Sequence, residues 1–105
     1  MPIPQSVIIN AVAYTVRVLS SAELWTQSGR DLLGHARYTE ADICVVEGMP
    51  EAREAQIFIH ECMHQIESDA GIDITEQQMR ILSNGVFALL RDNPQVVEYL
   101  MKAGR

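Results

Sequence analysis

The chain is short of basic residues. Its 105 residues include 8 lysines and arginines against 14 aspartates and glutamates, which gives a formal net charge of −6 at pH 7. A duplex backbone repels such a surface, and no basic stripe or arginine-rich arm is present to overcome the repulsion. We therefore expect no nucleic-acid partner.

Cysteine is equally scarce. Cys44 and Cys62 are the two cysteines, each stands among apolar residues, and together they form no CxxC pair. The pattern gives no positive support for a structural disulfide. It favours two buried thiols in a reducing compartment.

Long hydrophobic runs are absent as well. The opening stretch MPIPQSVIINAV has no basic region, and Arg17 interrupts the apolar residues early. We expect neither a signal peptide nor a membrane span, and we predict a cytoplasmic protein. Apolar residues make up 48% of the chain, which is enough for one core, and no repeat or linker divides it. Residues 1–105 should therefore form a single domain.

The first half of the chain has the two-residue period of β-strands. β-branched residues are frequent between residues 7 and 19, and Asn10-Ala11 suggests a turn among them. Gly48 and Pro50 end the strand-rich part. The predicted segments are a hairpin of residues 7–9 with 12–19, a loop at 20–34 with a helical turn around Ala22–Thr26, and either one bent strand or two short ones at His35–Tyr38 and Asp42–Val46.

The second half has the period of α-helices. Thr75 and Gln78 form a capping box that starts one helix, and Ile74 with Met79 supplies a hydrophobic staple. The predicted fold is α+β: a small antiparallel sheet of about three strands, then two long helices and a short C-terminal helix. The helices are predicted at about 51 to 69, from Thr75 as N-cap to about Arg91, and after Asn93-Pro94, where Val96, Val97, Leu100 and Met101 form the apolar face.

The segment HECMH lies within the first long helix. At 3.6 residues per turn, His60 and His64 share one face, where both imidazoles can reach one ion, while Ile59, Cys62 and Ile66 point to the core. Neutral imidazole is a good zinc ligand. Glu61, one step around the helix, can accept a proton from a water that zinc activates and pass it to a leaving amine. The alternative is a pair of solvated or core histidines.

A catalytic zinc site needs a third protein ligand. Glu76 is preferred because it opens the second helix near the helix junction, although an acid there also complements the helix dipole. A symmetric hairpin about residue 72 would leave Glu76 about 9 Å from the histidines along the axis, so a crossing angle or bent turn is required. The polar residues from which Glu76 is chosen are His35, Asp69, Asp73, Glu76, Asn84 and Asp92.

Three stretches, FIHECMHQIE, GIDITEQQ and VFALLRDNPQVV, together resemble the zincin metallopeptidases, in particular the short HExxH proteins of phages and prophages. The likeness is to minimal gluzincins and, more distantly, to the ImmA/IrrE type. It implies a zincin-like fold, zinc on His60, His64 and Glu76, Glu61 as general base, and a peptide or protein substrate. Residues 65–70 read QIESDA, so the extended metzincin motif is missing.

Two functional hypotheses follow. The first is a zinc-dependent metallopeptidase that hydrolyses peptide bonds with a metal-activated water. The second is a non-enzymatic, zinc-stabilised protein-interaction module of phage origin. Glu61 discriminates between them, because a structural zinc site has no use for a carboxylate there and prefers four protein ligands. Tyr38 is either an oxyanion donor or a packing residue, and Asp42–Val46 is either a peptide-binding edge or a central strand.

Overall fold

Strands fill the first half of the chain and helices the second, with one helix inserted between the strands. The structure is a computed structural model and describes residues 2–104. The predicted α+β class is confirmed. In chain order the elements are β1 (Ser6–Ile9), β2 (Val12–Leu19), α1 (Ser21–Ser28), β3 (Gly34–Arg37), β4 (Asp42–Val46), α2 (Glu51–Ala70), α3 (Glu76–Asp92) and α4 (Pro94–Ala103).

The predicted hairpin is confirmed. β1 and β2 pair antiparallel, with Ile9 opposite Val12. Asn10 and Ala11 form the two-residue loop with φ of 51° and 68°. Positive φ at both central residues is the geometry that matches the twist of the flanking strands.

The sheet is mixed rather than wholly antiparallel, and it has four strands in the order β1-β2-β4-β3. β4 runs parallel to β2 and antiparallel to β3. Asp42 to Val45 are all buried, as expected of a strand covered on both faces. The possibility that Asp42–Val46 forms a peptide-binding edge is therefore wrong; β4 is central, and the two edge strands are β1 and β3.

Residues 20–34 contain more helix than expected. α1 has two full turns, because Ser20 and Glu23 form a complete capping box and Gly29 closes the helix with φ of 70°. Leu24 points inward and is fully buried. The helix covers the sheet face that carries His35 and Cys44, where its Gln27 amide hydrogen-bonds both side chains.

The long helices agree with the predicted segments. α3 begins with the expected capping box of Thr75 and Gln78, and α4 begins at Pro94. α2 packs on the sheet, α3 packs on α2, and α4 contacts α3. Within residues 2–104, no helix combines the length and the apolar character needed to cross a membrane.

The core lies between α2 and the sheet face opposite α1. Cys62 of α2 packs with Ile9, Tyr14 and Ile43. Ile66, expected in this core, is 48% exposed. The buried positions of α2 are instead Glu61, Cys62 and Gln65. The helix is therefore rotated so that Glu61, and not Ile66, faces the sheet.

Both cysteines are buried free thiols, as predicted. They lie on opposite faces of the sheet, because Cys62 contacts Ile43 and the neighbouring Cys44 points toward α1. Burial raises the pKa of the Cys62 thiol to about 12. The pKa of Cys44 is also raised, mainly by burial.

Candidate metal centre

Three side chains predicted as ligands meet between α2 and α3. His60 Nε2 lies 2.9 Å from Glu76 Oε1, and His64 Nε2 lies 3.1 Å from Glu76 Oε2. The two Nε2 atoms are 3.0 Å apart. One ligand atom from each residue falls within 4.8 Å of the others, so His60, His64 and Glu76 form a group that could hold a metal ion.

Glu76 reaches the histidines because the connection between the helices doubles back along α2. The Ile74 N–H donates to Glu67 Oε2 over 2.6 Å, so this connection lies against the last turns of α2. Extended chain covers about 3.3 Å per residue and helix about 1.5 Å. A few extended residues therefore bring Glu76 back beside His64, and the expected 9 Å gap does not exist.

The ring of His60 is oriented from its far side. Its Nδ1 lies 2.9 Å from Ser83 Oγ, and the Ser83 hydroxyl lies 3.3 Å from the Arg80 carbonyl oxygen. A hydroxyl that donates to a carbonyl accepts from the ring, so Nδ1 carries the proton and Nε2 presents its lone pair. Burial, and then the neighbouring His64, lower the pKa of His60 and favour this neutral form.

The ring of His64 is oriented by Glu67. Its Nδ1 lies 3.1 Å from Glu67 Oε1. The pKa of Glu67 is lowered, first by the hydrogen bond from the Ile74 N–H, so this carboxylate is ionised and accepts the Nδ1 proton. Nε2 of His64 is then also an acceptor, aimed at Nε2 of His60.

When both rings are neutral, three acceptors thus converge without a donor among them. Two lone pairs 3.0 Å apart, both next to the Glu76 carboxylate, repel one another in a partly buried position. A proton on one imidazole would satisfy part of the group, whereas a single cation satisfies all three atoms. The donor set of two imidazoles and one carboxylate therefore suits a divalent metal.

Glu61 lies beside this group but points toward the sheet. Only 9% of the residue is exposed. Burial raises its pKa to about 7, and Glu76 adds to the rise. A positive charge on His64, which the imidazole carries only when it is protonated, and a hydrogen bond from the Ala36 backbone act in the opposite direction. The Ala36 contact joins Glu61 to the edge strand β3.

Gly34 makes room for the Glu61 side chain. A Cβ at this position would lie 2.8 Å from Glu61 Cγ and 2.8 Å from Ile57 Cγ2. Such distances are too short for carbon atoms in contact. The absence of a side chain at the start of β3 therefore lets the strand approach α2 at the site.

Two clefts open onto the group. One, of 390 Å³, runs from His60 and Glu61 toward the first half of α2. The other, of 520 Å³, lies on the side of His64 and Ala36. Glu61 and Glu76 line both, so a ligand in either cleft contacts the candidate centre.

The other polar residues considered as ligands lie outside this group of three, although His35 and Asn84 line the clefts. His35 hydrogen-bonds Gln27 under α1. Asp69 accepts from Asn10 and Gln65 near the end of α2. The remaining candidates are outside the group of three: Asn84 hydrogen-bonds Gln56, Asp92 pairs with Arg91, and Asp73 lies in the exposed connection.

Tyr38 does not face the centre. Its side chain is 65% exposed and lines a surface depression with Asn10, Val12 and Asp69. A donor to a reacting carbonyl would have to lie at the clefts, so Tyr38 as an oxyanion donor is wrong for this arrangement.

Three residues that contribute to the centre were not predicted: Gly34, Glu67 and Ser83. Glu67 could have been found from its helical spacing, because it lies three residues after His64. Ser83 lies seven residues after Glu76, hence on the same face of α3. Gly34 had no comparable signal, because its role depends on which strand passes Glu61.

A comparison of the chain with protein-family models, curated proteins and solved structures finds no match. The resemblance to zincins stays a prediction.

Proposed function

We propose that this protein is a zinc-dependent metallopeptidase that hydrolyses peptide bonds. The observation that carries the proposal is the convergence of three acceptors, His60 Nε2, His64 Nε2 and the Glu76 carboxylate, beside the buried carboxylate of Glu61. The first three suit a metal, and the fourth suits proton transfer.

Zinc is the metal that fits the donor set best. Catalytic zinc sites combine three protein ligands with one open position, and His-His-Glu is one of the usual sets. Ligand atoms about 2.1 Å from zinc in a tetrahedron lie about 3.4 Å from one another. Among His60, His64 and Glu76, the closest contacts between ligand atoms are 2.9 to 3.1 Å, so a small outward movement would admit the ion.

The bound ion would polarise a peptide carbonyl and lower the pKa of a water molecule to about 7. Glu61 would accept the proton of that water and return it to the leaving amine. The hydrogen bond from the Ala36 backbone lowers the pKa of Glu61 and so favours the ionised form that accepts a proton. Ser83 and Glu67 hold the two imidazoles with Nε2 facing inward.

The edge strand β3 offers a way to align an extended substrate. Leu33 and Val46 are joined by a hydrogen bond on the inner side of the strand. Because an antiparallel ladder alternates, the backbone groups of Gly34 and Ala36 point outward, and both residues line the cleft on the His64 side. The Ala36 N–H is used by Glu61, so the groups left for a peptide are those of Gly34 and the Ala36 carbonyl. A peptide paired there would pass Glu61.

The second hypothesis, an interaction module, is favoured by a different surface. α4 has no buried residue, and Tyr99, Leu100 and Met101 are all more than half exposed. Exposed apolar surface of this kind is typical of a protein-binding face. The metal would then stabilise the fold, and Glu61 would have no chemical role.

Metal content and one substitution test the proposal. The purified protein should contain one zinc per chain, and an unfolded, fluorescently labelled protein should be cleaved. Glu61→Gln keeps the size of the side chain but removes the proton acceptor. We expect it to retain zinc and to lose at least about a hundredfold in kcat/KM, the usual contribution of a general base.

Glu54→Gln is the matched control. It removes a half-buried carboxylate from the same helix, beside Pro2 and Pro4 and away from the centre, and should leave kcat/KM unchanged. A wild-type protein that takes up no zinc would overturn both hypotheses. A zinc-loaded wild type that cleaves no better than Glu61→Gln would overturn the peptidase and favour the interaction module.

A further inference from the structure

We propose that the cleft on the His60 side selects substrates that carry a carboxylate within about three residues of the cleaved bond. The inference rests on the proposed function and adds the chemical class of its substrate. It comes from the distribution of arginines around the candidate centre.

Most basic side chains in residues 2–104 have an acidic partner. Arg17 and Arg37 pair with Asp42, a third pair joins Arg91 to Asp92, and a fourth joins Lys102 to Glu98. Three arginines make no ion pair within the described part of the chain. They are Arg30, Arg53 and Arg80, and all three line the two clefts at the centre.

Two of these arginines line the cleft on the His60 side. Arg53 is seven residues before His60 on α2, about 10 Å along the axis, and Arg80 is four residues after Glu76 on α3, about 6 Å along the axis. Extended peptide advances about 3.3 Å per residue. The guanidinium groups are therefore within reach of side chains two to three residues from the reacting carbonyl.

The position of Arg53 is supported by hydrogen bonds across the helix pair. Its Nη1 donates to Gln56 Oε1 over 3.0 Å, and the Gln56 amide donates to Asn84 of α3. Gln56 and Asn84 also line the cleft. The guanidinium is exposed to solvent, and the hydrogen bond to Gln56 keeps it at the mouth of the cleft, which reduces the entropy lost when it binds a carboxylate.

The charge of the whole chain makes this placement informative. At a net charge of −6, most of the surface repels an acidic peptide, and unpaired cations concentrated in one cleft direct such a peptide to that cleft. Three carboxylates line the same cleft: Glu61 and Glu76, whose charges the proposed zinc would offset, and Asp31, which opposes the arginines directly. Leu32 and Ile57 provide apolar surface. A substrate with an acidic side chain near an apolar one fits this lining.

Two sources could provide the carboxylate: an acidic side chain or the C-terminus of a peptide. Both would be bound by the same guanidinium groups. The probes are blocked heptapeptides that differ only in Glu or Gln at one position, scanned across three positions on each side of a central leucine. A second set compares free with amidated C-termini.

Binding is measured first, by fluorescence anisotropy with the zinc-loaded Glu61→Gln protein, so that cleavage does not interfere. We expect the Glu peptide to bind about tenfold more tightly than the Gln peptide at its best position, as charge-assisted hydrogen bonds in a partly open cleft would give. Arg53→Gln and Arg80→Gln should each reduce the preference, and the double variant should abolish it. Salt should weaken it as well.

Arg91→Gln and Asp31→Asn are the controls. Arg91 lies outside the clefts and pairs with Asp92, so its loss should leave the preference unchanged, whereas Asp31→Asn removes the opposing charge and should increase it. Equal binding of Glu and Gln peptides at every position together with equal binding of free and amidated peptides would overturn the inference. No binding of any peptide, or a preference that survives the double variant, would overturn it as well. A Glu preference without cleavage by wild type would overturn the peptidase alone.

Discussion

Two polar clusters lie on opposite faces of the sheet, and each combines histidine with a carboxylate. Under α1, the carboxylate of Asp42 is held by Arg37 at 2.5 Å and by Arg17 at 3.1 Å, while His35 accepts from the Gln27 amide. Every acceptor in this cluster has a donor. We call this group of Arg17, Gln27, His35, Arg37 and Asp42 the closed cluster.

The cluster between α2 and α3 has acceptors that lack donors. His60, His64 and Glu76 each present an acceptor to the others, and the donors of both rings are already used by Ser83 and Glu67. Histidine and carboxylate are common to both clusters. The difference lies in whether a cation is already supplied by the chain, and this marks the second cluster, but not the first, as a place for a metal.

Removal of one histidine from each cluster should give the largest difference in zinc affinity between the two clusters. His64→Ala deletes one of the three ligand atoms. Loss of a residue that only hydrogen-bonds a ligand lowers metal affinity by up to about a hundredfold, so we expect the loss of a ligand itself to lower zinc affinity by at least about a hundredfold. Competition with a chromophoric zinc chelator measures the change.

His35→Ala is the counterpart in the closed cluster. It deletes an imidazole that hydrogen-bonds Gln27 and lines the cleft on the His64 side but is not one of the three candidate ligands. Zinc affinity should therefore stay within about threefold of wild type, since sites without shared partners act nearly independently. Equal losses in the two variants would contradict the assignment of the metal to the cluster between α2 and α3.

Local patterns predicted much of the fold and of the centre. The hairpin, the span of α2 and the pairing of His60 with His64 depend on residues close together in the chain, so periodicity and turn chemistry were sufficient. The central position of β4 also had a signal, because ICVV is a continuous apolar run of the kind found in strands covered on both faces.

Those local patterns could not predict how segments that are far apart in the chain pack against one another. The distance from His64 to Glu76 depends on the path of residues 71–75. The prediction of a gap of about 9 Å counted these residues with the rise of a helix, whereas they are extended and bring Glu76 back beside His64. The rotation of α2 that buries Glu61 instead of Ile66 depends on Gly34, since only a strand without a side chain there can approach the helix so closely. These features follow from packing between segments and not from their own sequences.

The closed cluster should contribute to stability. Arg37→Met removes the closer of two cations from Asp42, which is 1% exposed, and the free energy of unfolding should fall by about 2 kcal/mol. This is less than the loss of a whole buried pair, because Arg17 remains. Urea denaturation of the zinc-free protein at neutral pH measures the difference, and Arg91→Met, at an exposed pair, should cost little.

The ion pair of Arg37 and Asp42 also predicts how the free energy of unfolding changes with pH. Arg37, above all, holds the pKa of Asp42 below its usual value, whereas burial opposes this. A carboxylate with a lowered folded pKa stabilises the protein above the unfolded pKa of about 3.9, and this stability is lost as the pH falls through the folded value. The difference in the free energy of unfolding between wild type and Arg37→Met should therefore become smaller below about pH 4. A difference that becomes larger there would contradict the ion pair.

The smallest effect should come from the hydrogen bond that orients His60. Ser83→Ala leaves all three ligand atoms in place but removes the acceptor of the Nδ1 proton, so the ring is free to turn and to expose the wrong nitrogen. Zinc affinity should fall about tenfold, the lower end for the loss of such a partner. Ser68→Ala, on an exposed part of α2, should leave it unchanged. Because Ser83 holds no metal itself, a loss as large as that of His64→Ala would mean that Ser83 supports the helix pair, whereas no loss would mean that packing alone sets the His60 ring.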